Sequence, residues 1–162
     1  MITIRYIDAI YFTNKYCEYK KLTTHIALGK LVSCDNCIMI SFVENNGIPK
    51  KGLLVPKEAL ILKEKILNKN SDILKDLSSY KNSNIGVYWK DVVYFENNIP
   101  NECTQMYSEG ELFSEDSEII IIKNPITIKI KNKIDNHPKV KVFFIVIPKL
   151  FVTSIEFYDK KL

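Results

Sequence analysis

The chain has 162 residues, 46% of them hydrophobic and 26% charged, and its 23 Lys/Arg against 19 Asp/Glu leave a net charge of only +4. That balance fits a globular protein rather than a disordered or uniformly polycationic one. No apolar run reaches the roughly 18 residues that span a bilayer, and four cysteines are too few for a disulfide scaffold, so a cytoplasmic protein without membrane association is expected.

The opening MITIRYID carries an aspartate early and lacks the basic-then-apolar pattern of a signal peptide. Alternating apolar and polar residues, rich in Ile, Val, Tyr and Phe, predict strands near 2–13, 22–33, 37–44, 50–56 and 60–65. Asn45-Asn46-Gly47 supplies the positive-φ residues of a tight hairpin. Residues 66–84 are polar and helix-compatible. Asn70 or Ser71 caps a segment whose Ile73, Leu74 and Leu77 form one apolar stripe, so a helical linker is expected there. Further strands are expected near 85–96, 104–114, 118–131, 139–147 and 152–158. Pro56-Lys57-Glu58-Ala59 and Pro148-Lys149-Leu150-Phe151 each read as one short helical turn before a last strand.

The two sets of strands repeat one another. ITIRYIDAIYFTN (2–14) aligns without a gap on IGVYWKDVVYFEN (85–97), an offset of 83, with Asp8/Asp91, Tyr11/Tyr94, Phe12/Phe95 and Asn14/Asn97 identical. GKLVSCDNCIMI (29–40) aligns on GELFSEDSEIII (110–121), an offset of 81. Val55-Pro56-Lys57 matches Ile147-Pro148-Lys149. A period near 80 suits a duplicated small domain rather than a solenoid. The shared apolar positions are the expected core: Ile2, Ile4, Ile10, Phe12, Leu31, Ile38 and Ile40, with Ile85, Val87, Val93, Phe95, Leu112, Ile119 and Ile121.

The order Gly-x-Leu, Asp, Ile-x-Ile and then apolar-Pro-Lys before a final strand resembles the Sm/Hfq family of small barrels over about 45 residues of each copy. The resemblance implies an SH3-like barrel and, by analogy alone, an association with RNA. The family's N-terminal helix has no counterpart here, and none of its RNA-contacting residues carries over. The expectation is therefore an all-β protein of two tandem duplicated SH3-like/Sm-like barrels, 1–65 and 85–162, joined by a helical linker at 66–84.

Four constellations could carry function. Cys17, His25, Cys34 and Cys37 have zinc-type ligand identities, but the second copy has Glu115 and Glu118 in place of Cys34 and Cys37, so inert thiols are expected and no metal or other cofactor. Glu109, Glu111, Glu115, Asp116 and Glu118 crowd one hairpin, which leaves a metal-dependent hydrolase as a remote alternative. Asp8 and Asp91 read as structural, since a backbone-bonding role would persist in both copies. No phosphate loop or activated nucleophile appears, so catalysis is not expected.

The fourth is an insertion. Ile40 to Pro56 spans 16 residues, whereas Ile121 to Pro148 spans 27. The longer hairpin alternates Lys129, Lys131 and Lys133 on one strand and Lys139 and Lys141 on the return. Such a ribbon tracks a phosphate backbone or guards a sheet edge. The sequence thus points to a non-catalytic binding module for RNA or DNA. The alternative is a protein-interaction or self-associating subunit that pairs acidic and basic edges.

Overall fold

The computed structural model describes residues 2–15, 24–33, 37–59, 77–100, 102–130 and 141–158. Eleven strands are present: β1 (Ile2–Ile7), β2 (Ile10–Phe12), β3 (Thr24–Ser33), β4 (Cys37–Asn45), β5 (Ile48–Pro56), β6 (Asn84–Asp91), β7 (Val93–Glu96), β8 (Thr104–Glu115), β9 (Ile119–Lys129), β10 (Phe144–Pro148) and β11 (Val152–Phe157). Among the described residues the helical elements are three 3-10 turns, Lys57–Ala59, Ser78–Tyr80 and Lys149–Phe151. Two of these fall where Pro56 and Pro148 predicted a turn. Of the expected linker helix, 66–76 lies outside the described residues, and 77–84 holds the Ser78–Tyr80 turn and the start of β6.

The chain is all-β, as its alternation predicts, but the expected closed barrels give way to two open sheets. One has strand order β1-β3-β4-β5-β7 and the other β11-β6-β8-β9-β10-β2. The chain changes sheet at the two matched aspartates. Each long opening strand breaks there, β1 giving way to β2 after Asp8 and β6 to β7 after Asp91. The piece beyond the break joins the other sheet, so neither sheet's end strands pair with each other.

Two compact units result, interleaved along the chain. The first comprises 1–8, 23–67 and 90–104; the second comprises 9–22, 68–89 and 105–162. In the first, Asn46 (φ 52°) and Gly47 (φ 75°) form the two-residue loop between paired Asn45 and Ile48, a type I′ hairpin. Its core gathers Cys37, Met39, Leu54, Phe95 and Cys103, with Val32 and Val93 packed against them. β7 completes this sheet by placing Phe95 opposite Gly52, Tyr94 opposite Leu53 and Val93 opposite Leu54.

In the second unit β2 does the corresponding work, placing Phe12 opposite Phe144, Tyr11 opposite Ile145 and Ile10 opposite Val146. Ile119–Ile122 and Phe144–Ile147 are buried throughout, so β9 and β10 are covered on both faces there. This explains why both read as unbroken apolar runs rather than alternating ones. Trp89 is fully buried, and its indole N–H donates to Ser108 Oγ at 3.0 Å, which in turn lies 2.8 Å from Thr127 Oγ1. The large ring thus enters the core with its polar atom satisfied.

Glycine is required at two matched strand positions by close approach of the neighbouring strand. A Cβ on Gly29 would stand 2.5 Å from Ile40 Cγ2, and one on Gly110 would stand 2.7 Å from Ile122 Cγ2. Ile40 therefore corresponds to Ile122 in packing, one residue beyond the Ile121 that the ungapped alignment gave. A register shift between Leu112 and Ser114 in β8 supplies the extra residue.

Of the expected core, Ile40, Ile85, Val87, Phe95, Leu112, Ile119 and Ile121 are buried, while Ile10, Phe12, Ile38 and Val93 are partly so. Leu31 is a correction: it is 49% exposed. The side chains of Ile2 and Ile4 lie outside the described ones.

Candidate binding surfaces

The lysine ribbon is described only at its two ends. Lys129 closes β9 half-buried, and Lys141, exposed before β10, holds its ammonium 4.8 Å from the Phe143 ring centroid. Lys131, Lys133 and Lys139 lie outside the described residues. Elsewhere, among the described residues, four lysines are met by glutamates: Lys30 with Glu44 at 3.2 Å, Lys51 with Glu96 at 2.8 Å, Lys90 with Glu58 at 3.9 Å and Lys123 with Glu111 at 4.0 Å. The hydrogen bond from Lys51 to Glu96 also raises the lysine pKa. At these four positions the positive charge is locally matched by a carboxylate.

Of the zinc-type set, only His25 and Cys37 are among the described residues, and they lie in different surroundings. Cys37 is buried in the first core beside Met39 and Leu54, whereas His25 is exposed and stacked on Tyr6 at 5.4 Å. Cys17 and Cys34 lie outside the described residues. Among the described residues no group of three or more His, Cys, Asp or Glu could hold a metal ion.

The acidic hairpin separates into individual jobs. Asp116 accepts from the backbone N–H of Glu118 (2.7 Å) and Ile119 (2.9 Å), which fixes the β8–β9 turn. Glu115 pairs with Lys149, both largely buried, and the Lys149 backbone N–H donates to the Glu118 carbonyl at 2.8 Å. Glu111 meets Lys123, and Glu109 accepts from the Tyr107 hydroxyl at 3.1 Å.

That last contact opens onto a cluster the sequence reading missed. Tyr88 on β6, Tyr107 on β8 and Tyr158 just after β11 come together in the second unit with Glu109 and Glu156. Tyr88 donates to Glu156 Oε1 at 2.9 Å and Tyr158 to Glu156 Oε2 at 3.1 Å, while the hydroxyls of Tyr107 and Tyr158 meet each other. The Tyr88 and Tyr107 rings lie 4.7 Å apart. Tyr107 lies against Gly86, whose missing side chain leaves room for its ring. Burial, the contact with Tyr158 and the Glu109 charge raise Tyr107 far above the usual phenol range; the bond to Glu156 chiefly raises Tyr88. A signal was present in the chain: Tyr107 and Glu109 are two residues apart on β8, hence on one face, and Tyr158 follows Glu156 at the same spacing at the end of β11. What brings the two pairs together is β6, which lies between β8 and β11 in the sheet, and that order is not local.

The first unit exposes large apolar side chains along one strand. Ile26 (65%) and Leu28 (58%) lie two apart on β3, and Leu31, Phe42, Val43, Ile48 and Tyr94 are also exposed. No helix among the described residues is long and apolar enough to cross a membrane. No known family model, curated protein or solved structure matches the chain.

Proposed function

We propose that the chain is a non-catalytic binding module whose partner is a protein. The observation that carries this reading is the set of exposed large apolar side chains in the first unit, led by Ile26 and Leu28 on one face of β3. Contiguous exposed apolar surface marks interaction sites, and Ile26 and Leu28 adjoin on one face of their strand. The glutamate partners of Lys30, Lys51, Lys90 and Lys123 support the same reading, because paired lysines recruit a polyanion poorly.

The scaffold is read as a duplication in which each repeat lends its second strand to the sheet of the other. Its support is the matched register of two sequence-identical pairs. Tyr94 and Phe95 face Leu53 and Gly52, as Tyr11 and Phe12 face Ile145 and Phe144. RNA or DNA binding is the second reading, favoured by the five lysines between 129 and 141.

Affinity capture with the chain as bait, and the bound proteins identified, tests the first reading against an Ile26→Asp/Leu28→Asp variant. Loss of a captured protein from the variant is the expected result, and identical capture by both overturns it. Binding of single-stranded RNA that weakens steeply with salt, and is lost on Lys129→Gln/Lys141→Gln, would give the function to the second reading.

A further inference from the structure

Three phenol rings and two carboxylates on one sheet face form a surface rich in π-electron density and acceptors and poor in donors. Four oxygen–oxygen contacts link the five groups: Tyr88 to Glu156, Tyr158 to Glu156, Tyr107 to Glu109, and Tyr107 to Tyr158. Three hydroxyls bring only three protons to those four contacts. One contact therefore lacks a donor. The neighbouring acid on β8, Glu111, is met by Lys123, whereas Glu109 and Glu156 are met by tyrosine hydroxyls.

The surroundings narrow the chemistry. Ile126 stands opposite Glu109 and Ile128 opposite Tyr107 in the β8–β9 ladder, so both point to the face that carries the tyrosines. Ile126 is more than half exposed. An apolar strip beside carboxylates and rings suits a group with a methylene stem and a charged donor tip. Two carboxylates repel a phosphate backbone, so the rings are ill placed to stack nucleobases of RNA or DNA.

We infer that this face of the second unit, formed by Tyr88, Tyr107, Tyr158, Glu109 and Glu156, binds an arginine or lysine side chain of a protein partner. The incoming N–H groups donate to Glu109 and Glu156, and the Tyr107 hydroxyl is released from Glu109 to bridge to Tyr158. Each acceptor then has its donor, and the cation lies against the rings. The site rests on the protein-binding reading for the source of its cation, but it occupies a different unit from Ile26 and Leu28.

The test is fluorescence anisotropy of a labelled peptide of alternating arginine and glycine, titrated with the full chain. Saturable binding is expected, competed by the unlabelled peptide and only feebly by free arginine. Glu109→Gln/Glu156→Gln should weaken it about tenfold or more, because charge-assisted hydrogen bonds are lost. Glu118→Gln, on the exposed tip of the β8–β9 hairpin, should leave it unchanged. Trp89 fluorescence, reporting the core of the same unit, shows that the variants fold; Glu156→Gln alone serves as a milder second variant that should also weaken binding. No saturable binding, or equal binding by wild type and Glu109→Gln/Glu156→Gln, overturns the site. Neither result touches the capture experiment on Ile26 and Leu28, so the two ideas fail separately.

Discussion

Leu31 and Leu112 hold the same place in the two sequence repeats, yet Leu112 is fully buried and Leu31 is half exposed. Their immediate neighbours, Gly-x-Leu-x-Ser in both, give no hint of the difference, because it depends on what covers each sheet rather than on strand phase. Leu112→Ala should therefore cost about 2–5 kcal/mol and Leu31→Ala less than about 1 kcal/mol, measured as shifts of the denaturation midpoint. Similar losses at both would mean that Leu31 is covered after all. Tyr107 gives a second residue-scale prediction. Its folded-state pKa is raised by burial, the Tyr158 contact and the Glu109 charge. The unfolded chain releases this proton near pH 10, while the folded chain still holds it. Stability is thus complete below about pH 10 and falls as pH rises beyond it, because unfolding then releases a proton. Tyr107→Phe should flatten that alkaline decline, as seen in thermal midpoints between neutral pH and pH 11. An unchanged slope would show that the phenol is not held as described.

Among the elements, those governed by local chemistry were legible. Asn46-Gly47 announces the β4–β5 hairpin because few residues accept positive φ, and Pro56 and Pro148 announce their turns because proline fixes φ and ends a ladder. Elements governed by partners were not legible. The break at Asp8 and Asp91 falls inside an uninterrupted β-forming run, and nothing in IDAIYF or KDVVYF says which sheet receives the second half. The roles within the acidic hairpin were hidden for a similar reason. Five carboxylates in one stretch suggest a metal, but Lys149, far along the chain, claims Glu115, and Asp116 turns inward onto the loop backbone. Lys149 thereby ties the 3-10 turn after β10 to the β8–β9 hairpin. Removing it strands a largely buried carboxylate, so Lys149→Ala should destabilise the protein by about 3 kcal/mol. Lys149→Met/Glu115→Leu should recover much of that loss, since an apolar pair leaves no unpaired charge. A double variant no more stable than Lys149→Ala would mean that the ion pair is not what holds the hairpin.

At the scale of the whole molecule, β2 and β7 each pair in a different sheet from the strand they follow, so damage should travel by register rather than by sequence. β2 follows β1 in the chain after a single break, but its hydrogen-bonding partner is β10 in the second unit. β7 follows β6 in the same way and pairs with β5 in the first. Proline at a paired strand position removes a ladder donor and distorts its neighbours. Tyr11→Pro should therefore speed hydrogen exchange at Phe144, Ile145 and Val146 while leaving the amides of β4 and β5 as slow as in the wild type. Tyr94→Pro should do the reverse, exposing Gly52, Leu53 and Leu54 and sparing β9 and β10. Exchange resolved by residue distinguishes this from a general loss of stability, which would raise all rates toward one common opening reaction. If Tyr11→Pro instead loosens β1 and β3, β2 remains with its own repeat and the reciprocal exchange is wrong. Each unit's core would also feel the change: Ile10 and Phe12 pack on Ile119, Ile121, Phe144 and Val146, just as Val93 packs on the Met39–Leu54–Phe95 cluster. Each sheet ends in a strand that the other half of the sequence supplies, so a chain cut near residue 83 leaves one sheet without β7 and the other without β2.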